Sequence, residues 1–234
     1  MFVVFATPFF NPNIFGTLVA FTQLEGIRLG VISQEPQEVL PAEIRRHFVA
    51  HWRVNDALDY DQLLWAAQEL SKRHGRIDRL IAANEQIQLP LARVRESLGI
   101  DGMPAESVLN FRDKGRMKDI FAEHGIPTAR HCRAVCEDDA WAFVQEVGFP
   151  ICVKPVDGAA AQSTYRVESS RALRELLHSR PATADAPLQL EEFLVGQEHS
   201  FESITVGGVS VWHSWTRYLP TPLDVMRNPW IQWR

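Results

Sequence analysis

Gly148-Phe149-Pro150-Ile151-Cys152-Val153-Lys154-Pro155-Val156-Asp157-Gly158-Ala159-Ala160-Ala161-Gln162-Ser163-Thr164 joins a turn, an apolar run, a lysine and a run of small residues in one segment. Gly148 and Pro150 mark a turn, and Ile151-Cys152-Val153 is a short apolar run of the kind that forms a buried strand. Lys154 closes that strand, and a loop of small residues follows. Small residues let backbone N–H groups approach an anion, and hydroxyls such as those of Ser163 and Thr164 add donors, so the stretch suits a phosphate. By itself it reads equally as a strand and turn with a solvated lysine. Its flanks decide between the two.

Downstream, Thr164 to Val167 pairs back as a strand, Ser169 to Ser179 has helical spacing, and Arg180 to Pro187 is a polar linker. Leu188 to Phe201 is the second informative stretch. A strand ends in the paired acids Glu191 and Glu192, turns at Gly196, and meets a further acid, Glu198, before a β-prone run. Glu202 to Thr205 and Val209 to Trp215 make a hairpin about Gly207-Gly208. Upstream, Phe111-Arg112-Asp113-Lys114 opens a helix that runs to about His124, with Asp113 suited to its N-terminus. Gly125-Ile126-Pro127 ends it. Ala129 to Val135 is strand-like, and Glu137 to Val147 is a helix.

The first third of the chain alternates differently. Strands over Phe2 to Ala6, Ile27 to Ile32, Phe48 to Val54 and Ile77 to Ala83 are separated by helices over Ile14 to Leu24 and Leu58 to His74, and Gln86 to Leu98 is a further helix. Strand following helix in this order implies a parallel sheet covered by helices, with ligands expected at the carboxyl ends of its strands. Thr7 to Asn13 and Asn84-Glu85-Gln86 fall there. They read as pocket residues or, residue by residue, as turns and helix caps. The first strand–helix turn lacks the Gly-x-Gly-x-x-Gly pattern of dinucleotide folds, which argues against NAD.

Taken in order, Asp113-Lys114, Met117-Lys118, Gly125-Ile126-Pro127, Gly148-Phe149-Pro150-x-x-Val153-Lys154-Pro155 and Glu191-Glu192-Phe193-Leu194-x-Gly196-x-Glu198 resemble the ATP-grasp superfamily, most nearly its carboxylate–amine ligase branch. The resemblance spans roughly residues 1 to 218. It implies an α/β protein: an N-terminal parallel-sheet domain (1–103), a partial ATP-grasp domain of two small α+β subdomains (104–218), and an aromatic tail (219–234).

It also implies a set of roles. Lys114 and Lys154 match the two lysines that contact the ATP phosphates, as compact ammonium groups can. Val156 to Thr164, with Gly158, Ser163 and Thr164, matches the loop that closes over those phosphates. Glu191 matches the acid that accepts from the adenine amino group, Glu192 and Leu194 the residues whose backbone reads the adenine edge, and Glu198 the acid that binds the ribose hydroxyls. The implied activity is ATP-dependent joining of a small-molecule carboxylate to an amine through an acyl phosphate, with magnesium as metal cofactor.

Two departures from the family stand out. The loop after Lys154 is poor in glycine. Beyond Trp215 the only acid is Asp224, so the expected magnesium ligands of a later subdomain are not found and no metal-binding residue is assigned. The chain therefore reads as a fragment or a natural truncation of a ligase. A non-catalytic nucleotide-binding or oligomerisation module is the competing reading. Trp212, Trp215, Trp230 and Trp233, late in the chain, would serve such an association surface, homo-oligomeric through the tail.

Composition agrees with these classes. With 46% hydrophobic residues in 234, the chain can bury a core for one large or two small domains. A net charge of -5 without a basic patch argues against a nucleic-acid partner. The start, Met1 to Pro8, is too short for a membrane span, so no membrane partner is expected. Three sparse cysteines suit a reducing, cytoplasmic setting.

Overall fold

The computed structural model describes residues 1–156, 164–228 and 230–231, with backbone alone at 226 and 227. Gly158, Ser163 and Trp233 lie outside the described residues. The chain divides into two compact units, Met1–Arg112 and Asp113–Arg234.

In the first unit, β1 (Phe2–Thr7), α1 (Pro12–Thr22), β2 (Arg28–Ser33), the short α2 (Ala42–Arg45), β3 (Phe48–Arg53), α3 (Tyr60–His74), β4 (Arg79–Ile81), α4 (Gln88–Leu98) and α5 (Ala105–Arg112) follow one another. The sheet order is β3-β2-β1-β4, with every pair parallel. β1 lies between β2 and β4 and is buried along its whole length, which is why it is apolar throughout rather than alternating. Its side chains still divide by the period of two. Phe2, Val4 and Ala6 pack with Leu63, Leu70 and Leu91 of α3 and α4, whereas Phe5 packs with Ile14, Leu18 and Ile44 of α1 and α2. The segment Asn11-Pro12-Asn13 begins α1: Asn11 accepts from the Ile14 N–H at 2.9 Å, and Pro12 occupies the first turn.

The second unit contains α6 (Lys114–Glu123), β5 (His131–Ala134), α7 (Glu137–Val147), β6 (Ile151–Pro155), β7 (Tyr165–Val167), α8 (Ser170–Ser179), β8 (Leu188–Glu192), β9 (His199–Val206), β10 (Val209–Arg217) and α9 (Pro222–Arg227). Its four-stranded sheet has the order β5-β8-β6-β7 and is antiparallel throughout. β9 and β10 form a separate two-stranded hairpin whose turn, Gly207-Gly208, has both residues at positive φ, as a two-residue hairpin loop requires. The two sheet types are those expected of the resemblance. Where the sequence reads as a proline-interrupted tail, the structure has a helix. Thr221 caps α9 by accepting from the Asp224 N–H, and Pro222 opens its first turn. Asp113 separates two helices: α5 ends at Arg112, and Asp113 caps α6 through the Arg116 N–H at 3.0 Å.

Alternation along β6 and β8 positions everything that follows. Ile151 and Val153 of β6 and Leu190 of β8 turn into the core with Phe143 of α7 and Leu173 of α8. Cys152 and Lys154, and Gln189 and Glu191, therefore share the opposite face of the sheet. Cys152 stands opposite Glu191, and Lys154 opposite Gln189.

Ile151 is fully buried, whereas Val135 is exposed. Ile151→Ala should cost about 2–5 kcal/mol, cavity included, and Val135→Ala about 0.5 kcal/mol or less. Urea unfolding of the two variants checks this; equal costs would mean that the core does not lie on the assigned face of β6.

Candidate functional site

The charged face of the second sheet, α6 and the segment after β8 surround a cleft of about 950 Å³. Of the residues singled out in the sequence, Lys114, Lys154, Thr164, Glu191, Glu192, Leu194 and Glu198 all line it.

Lys114 is the first residue of α6, and Lys154 comes from β6. Lys154 Nζ donates to Glu191 Oε2 at 2.7 Å. On the other side of that carboxylate stands Lys118, one helical turn beyond Lys114, with Nζ 3.6 Å from Glu191 Oε1. Lys118 also donates to Thr128 Oγ1 at 3.1 Å. Both Lys118 and Glu191 are more than nine-tenths buried. Charges so far from water are retained only when paired, and here one carboxylate sits between two ammonium groups. The sequence assigns no role to Lys118; the signal was its i,i+4 spacing from Lys114. Beneath α6, Gln189 is fully buried, and a Cβ on Gly115 would lie 3.0 Å from its Oε1, so glycine is what lets the helix approach the strand.

Glu192 faces away from the lysines. Its carboxylate accepts from the Arg130 backbone N–H at 2.9 Å and from Arg130 Nε at 2.7 Å, and these bonds hold it below the usual glutamate range. Its side chain is thus engaged by Arg130. Phe193, Leu194 and Val195 then continue along the cleft as an extended strand end, with Arg166 stacked over the Phe193 ring at 4.3 Å.

Glu198 stands at the mouth with Asp224 of α9, and both line the cleft. Burial and, secondarily, the Asp224 charge raise the Glu198 carboxyl above the usual glutamate range. Cys152 also faces the cleft, and burial first of all raises its thiol, so it is held neutral.

The donor set fits a nucleotide: cations for phosphates, a strand end with free edges for a base, and carboxylates for ribose hydroxyls. Among the described residues, no group of three or more His, Cys, Asp or Glu could hold a metal ion. No helix among them is long and apolar enough to cross a membrane.

Residues 112–214 match the family described as phosphoribosylglycinamide synthetase, ATP-grasp (A) domain, and over that stretch the chain is similar to the ATP-grasp ligases. It is 26% identical over 161 residues to the alanine–anticapsin ligase of Bacillus subtilis (strain 168), a match covering 58% of this chain and 34% of that ligase. The solved L-amino acid ligase from Bacillus licheniformis has a TM-score of 0.71 at 17% identity, over 94% of this chain and 52% of its own. N5-carboxyaminoimidazole synthetase from Staphylococcus aureus, solved with ADP, has a TM-score of 0.65 at 14% identity, over 86% and 49%. The chain therefore spans about a third of the curated ligase and about half of each solved structure.

The raised Glu198 pKa has a definite sign. Its contribution to stability is complete below the unfolded-state pKa, about 4.3, and is lost as pH rises through the higher folded-state value. At pH 7 the charged form is a cost. Glu198→Gln should therefore raise the urea midpoint at pH 7, by less than about 1 kcal/mol for so exposed a group, and the gain should vanish by pH 4. A gain that persists at pH 4 would rule out a titrating carboxyl as its source.

Proposed function

We propose that this chain binds ATP and carries the nucleotide half of an ATP-dependent carboxylate–amine ligase. One observation carries the reading: Lys114, Lys154, Glu191, Leu194 and Glu198, picked out by their order in the sequence, line a single cleft. The relative named a ligase and the neighbour solved with ADP support it.

In the proposed reaction a substrate carboxylate oxygen attacks the terminal phosphorus of ATP. The bond to the bridging oxygen breaks, and ADP departs. The resulting acyl phosphate is attacked at carbon by the amine nitrogen, phosphate leaves with the bonding pair, and the amine proton passes to solvent. The detour is useful because phosphate is a good leaving group, whereas the oxide of a free acid is not. No protein nucleophile is needed. Lys114 and Lys154 hold the phosphates, the backbone at Glu192 and Leu194 meets the adenine edge, and Glu198 orients the ribose, so the protein positions groups and stabilises charge. Thr164 lines the cleft, and the resemblance assigns it, together with Gly158 and Ser163, to phosphate binding. Magnesium would add its charge to the phosphates and remains an implication of the family. The substrates are a small-molecule carboxylate and an amine, and the three free cysteines suit the cytoplasm.

The hairpin favours a second reading. Phe201, Trp212 and Trp215 are at least half exposed, as is Trp230 of the tail, and such a surface suits a nucleotide-binding module that self-associates.

Calorimetric titration with ATP tests the first reading. Wild type should bind, and Lys154→Ala should weaken binding at least about tenfold, since charge-assisted bonds to phosphate contribute upward of about 1.5 kcal/mol. Unchanged affinity in the variant would remove Lys154 from the site. Incubation with ATP and a panel of amino-acid pairs, read as ADP release with amide product, separates a ligase from a binding module.

A further inference from the structure

We propose that Lys118 is a positioning residue that takes over the Glu191 carboxylate when Lys154 engages phosphate, so that the two lysines exchange one counter-ion between them. The inference rests on the nucleotide-binding reading of the cleft and deepens it.

Three observations carry it. Lys154 is held at 2.7 Å on Glu191 Oε2, so the lysine proposed to hold phosphate already has an anion. Drawing it toward phosphate would strip a more than nine-tenths buried carboxylate of its best partner, a large cost in a poorly solvated site. Glu191 Oε1 is closed to solvent and has no hydrogen bond, while Lys118 Nζ waits 3.6 Å away, beyond hydrogen-bond distance but within reach of a small side-chain shift. Lys118 lines the cleft, but it is buried and anchored by Thr128, so its Nζ reaches less far than that of a flexible surface lysine.

The charges explain why two lysines are needed. Two ammonium groups and one carboxylate leave one positive charge in excess, and an incoming phosphate neutralises it. With Lys154 turned to the phosphate and Lys118 closed onto Oε1, every charge has a partner. With Lys118 missing, Glu191 and the phosphate would compete for Lys154. A third cation that simply met the nucleotide would require Lys118 Nζ to leave the carboxylate, and its burial opposes that.

The test is calorimetric titration with two probes, ATP and adenosine, on wild type, Lys118→Met, Lys118→Arg, Glu191→Gln and Lys118→Met/Glu191→Gln. Lys118→Met should weaken ATP binding at least about tenfold, as loss of one partner of a buried pair implies, and leave adenosine binding unchanged. Lys118→Arg, which keeps the charge, should bind ATP nearly as wild type does. The double variant, with no buried carboxylate to compete, should recover most of the ATP affinity relative to adenosine; it also replaces a charged pair by a neutral one, so it remains testable if Lys118→Met alone does not fold. ATP affinity unchanged in folded Lys118→Met, parallel loss of ATP and adenosine, or no recovery in the double variant relative to Glu191→Gln would each overturn the proposal. Failure of wild type to bind ATP, or of Lys154→Ala to weaken it, would instead overturn the reading on which the proposal rests.

Discussion

A carboxylate withdrawn from water must find positive charge, and Glu191 finds it on both sides. Lys154 reaches it from the neighbouring strand and Lys118 from the helix laid over the sheet. The second unit depends on this requirement. It fixes which face of β8 carries the helix, it brings the first turns of α6 to the sheet, and it leaves the other apolar face to α7 and α8. Replacing the three charges by apolar groups of similar size would cost little stability, because buried ion pairs seldom repay their desolvation. Their value lies in chemistry: a lysine held in place on a strand and a surplus positive charge facing a cleft.

The cleft and the core are two sides of one alternation. β6 and β8 are short, and each contributes one or two residues to either face. Ile151, Val153 and Leu190 supply the apolar side, and Cys152, Lys154, Gln189 and Glu191 the polar one. A shift of one residue in the pairing would send Lys154 and Glu191 into the core, so the hydrophobic effect enforces the registry that sets the site's geometry. Gly115 completes the arrangement from above, since a Cβ there would press within 3.0 Å of the buried Gln189 Oε1.

Much of this was legible in the sequence. The parallel sheet of the first unit follows from long amphipathic helices placed between apolar strands, and the second unit's two sheets are those that the resemblance implies. Lys154 could be chosen because it closes an apolar strand before a small-residue loop, and Glu191 through the order of motifs that carries the resemblance. The contact between them could not, since it depends on which strands become neighbours. Lys118 was harder still: its spacing from Lys114 shows a shared helical face, but only the packing of α6 on the sheet gives that face a partner. Asp224 was read as part of an irregular tail because α9 is short, and six residues give little periodicity to detect. The capping signal was present nonetheless in Thr221, Pro222 and Asp224.

The two units show why a rule about parallel sheets locates one kind of crevice and not the other. In the first unit all strands point the same way, and their carboxyl ends gather polar groups: Thr7 Oγ1 donates to Phe9 O at 2.8 Å and lies 2.9 Å from the Asn84 amide, while Ser33 Oγ lies 2.7 Å from His51 Nε2. These groups bond largely to one another. In the second unit neighbouring strands run in opposite directions, so neither edge of the sheet collects the ends of all strands and no shared crevice forms there. The cleft is made instead on the face of the sheet, where alternation sets charged residues side by side, and along the end of β8, where the Phe193 N–H still donates to Pro150 O at 3.4 Å and Leu194 and Val195 run on beyond the sheet. A flat adenine edge is well matched to such a strand end, and phosphates to a face of lysines.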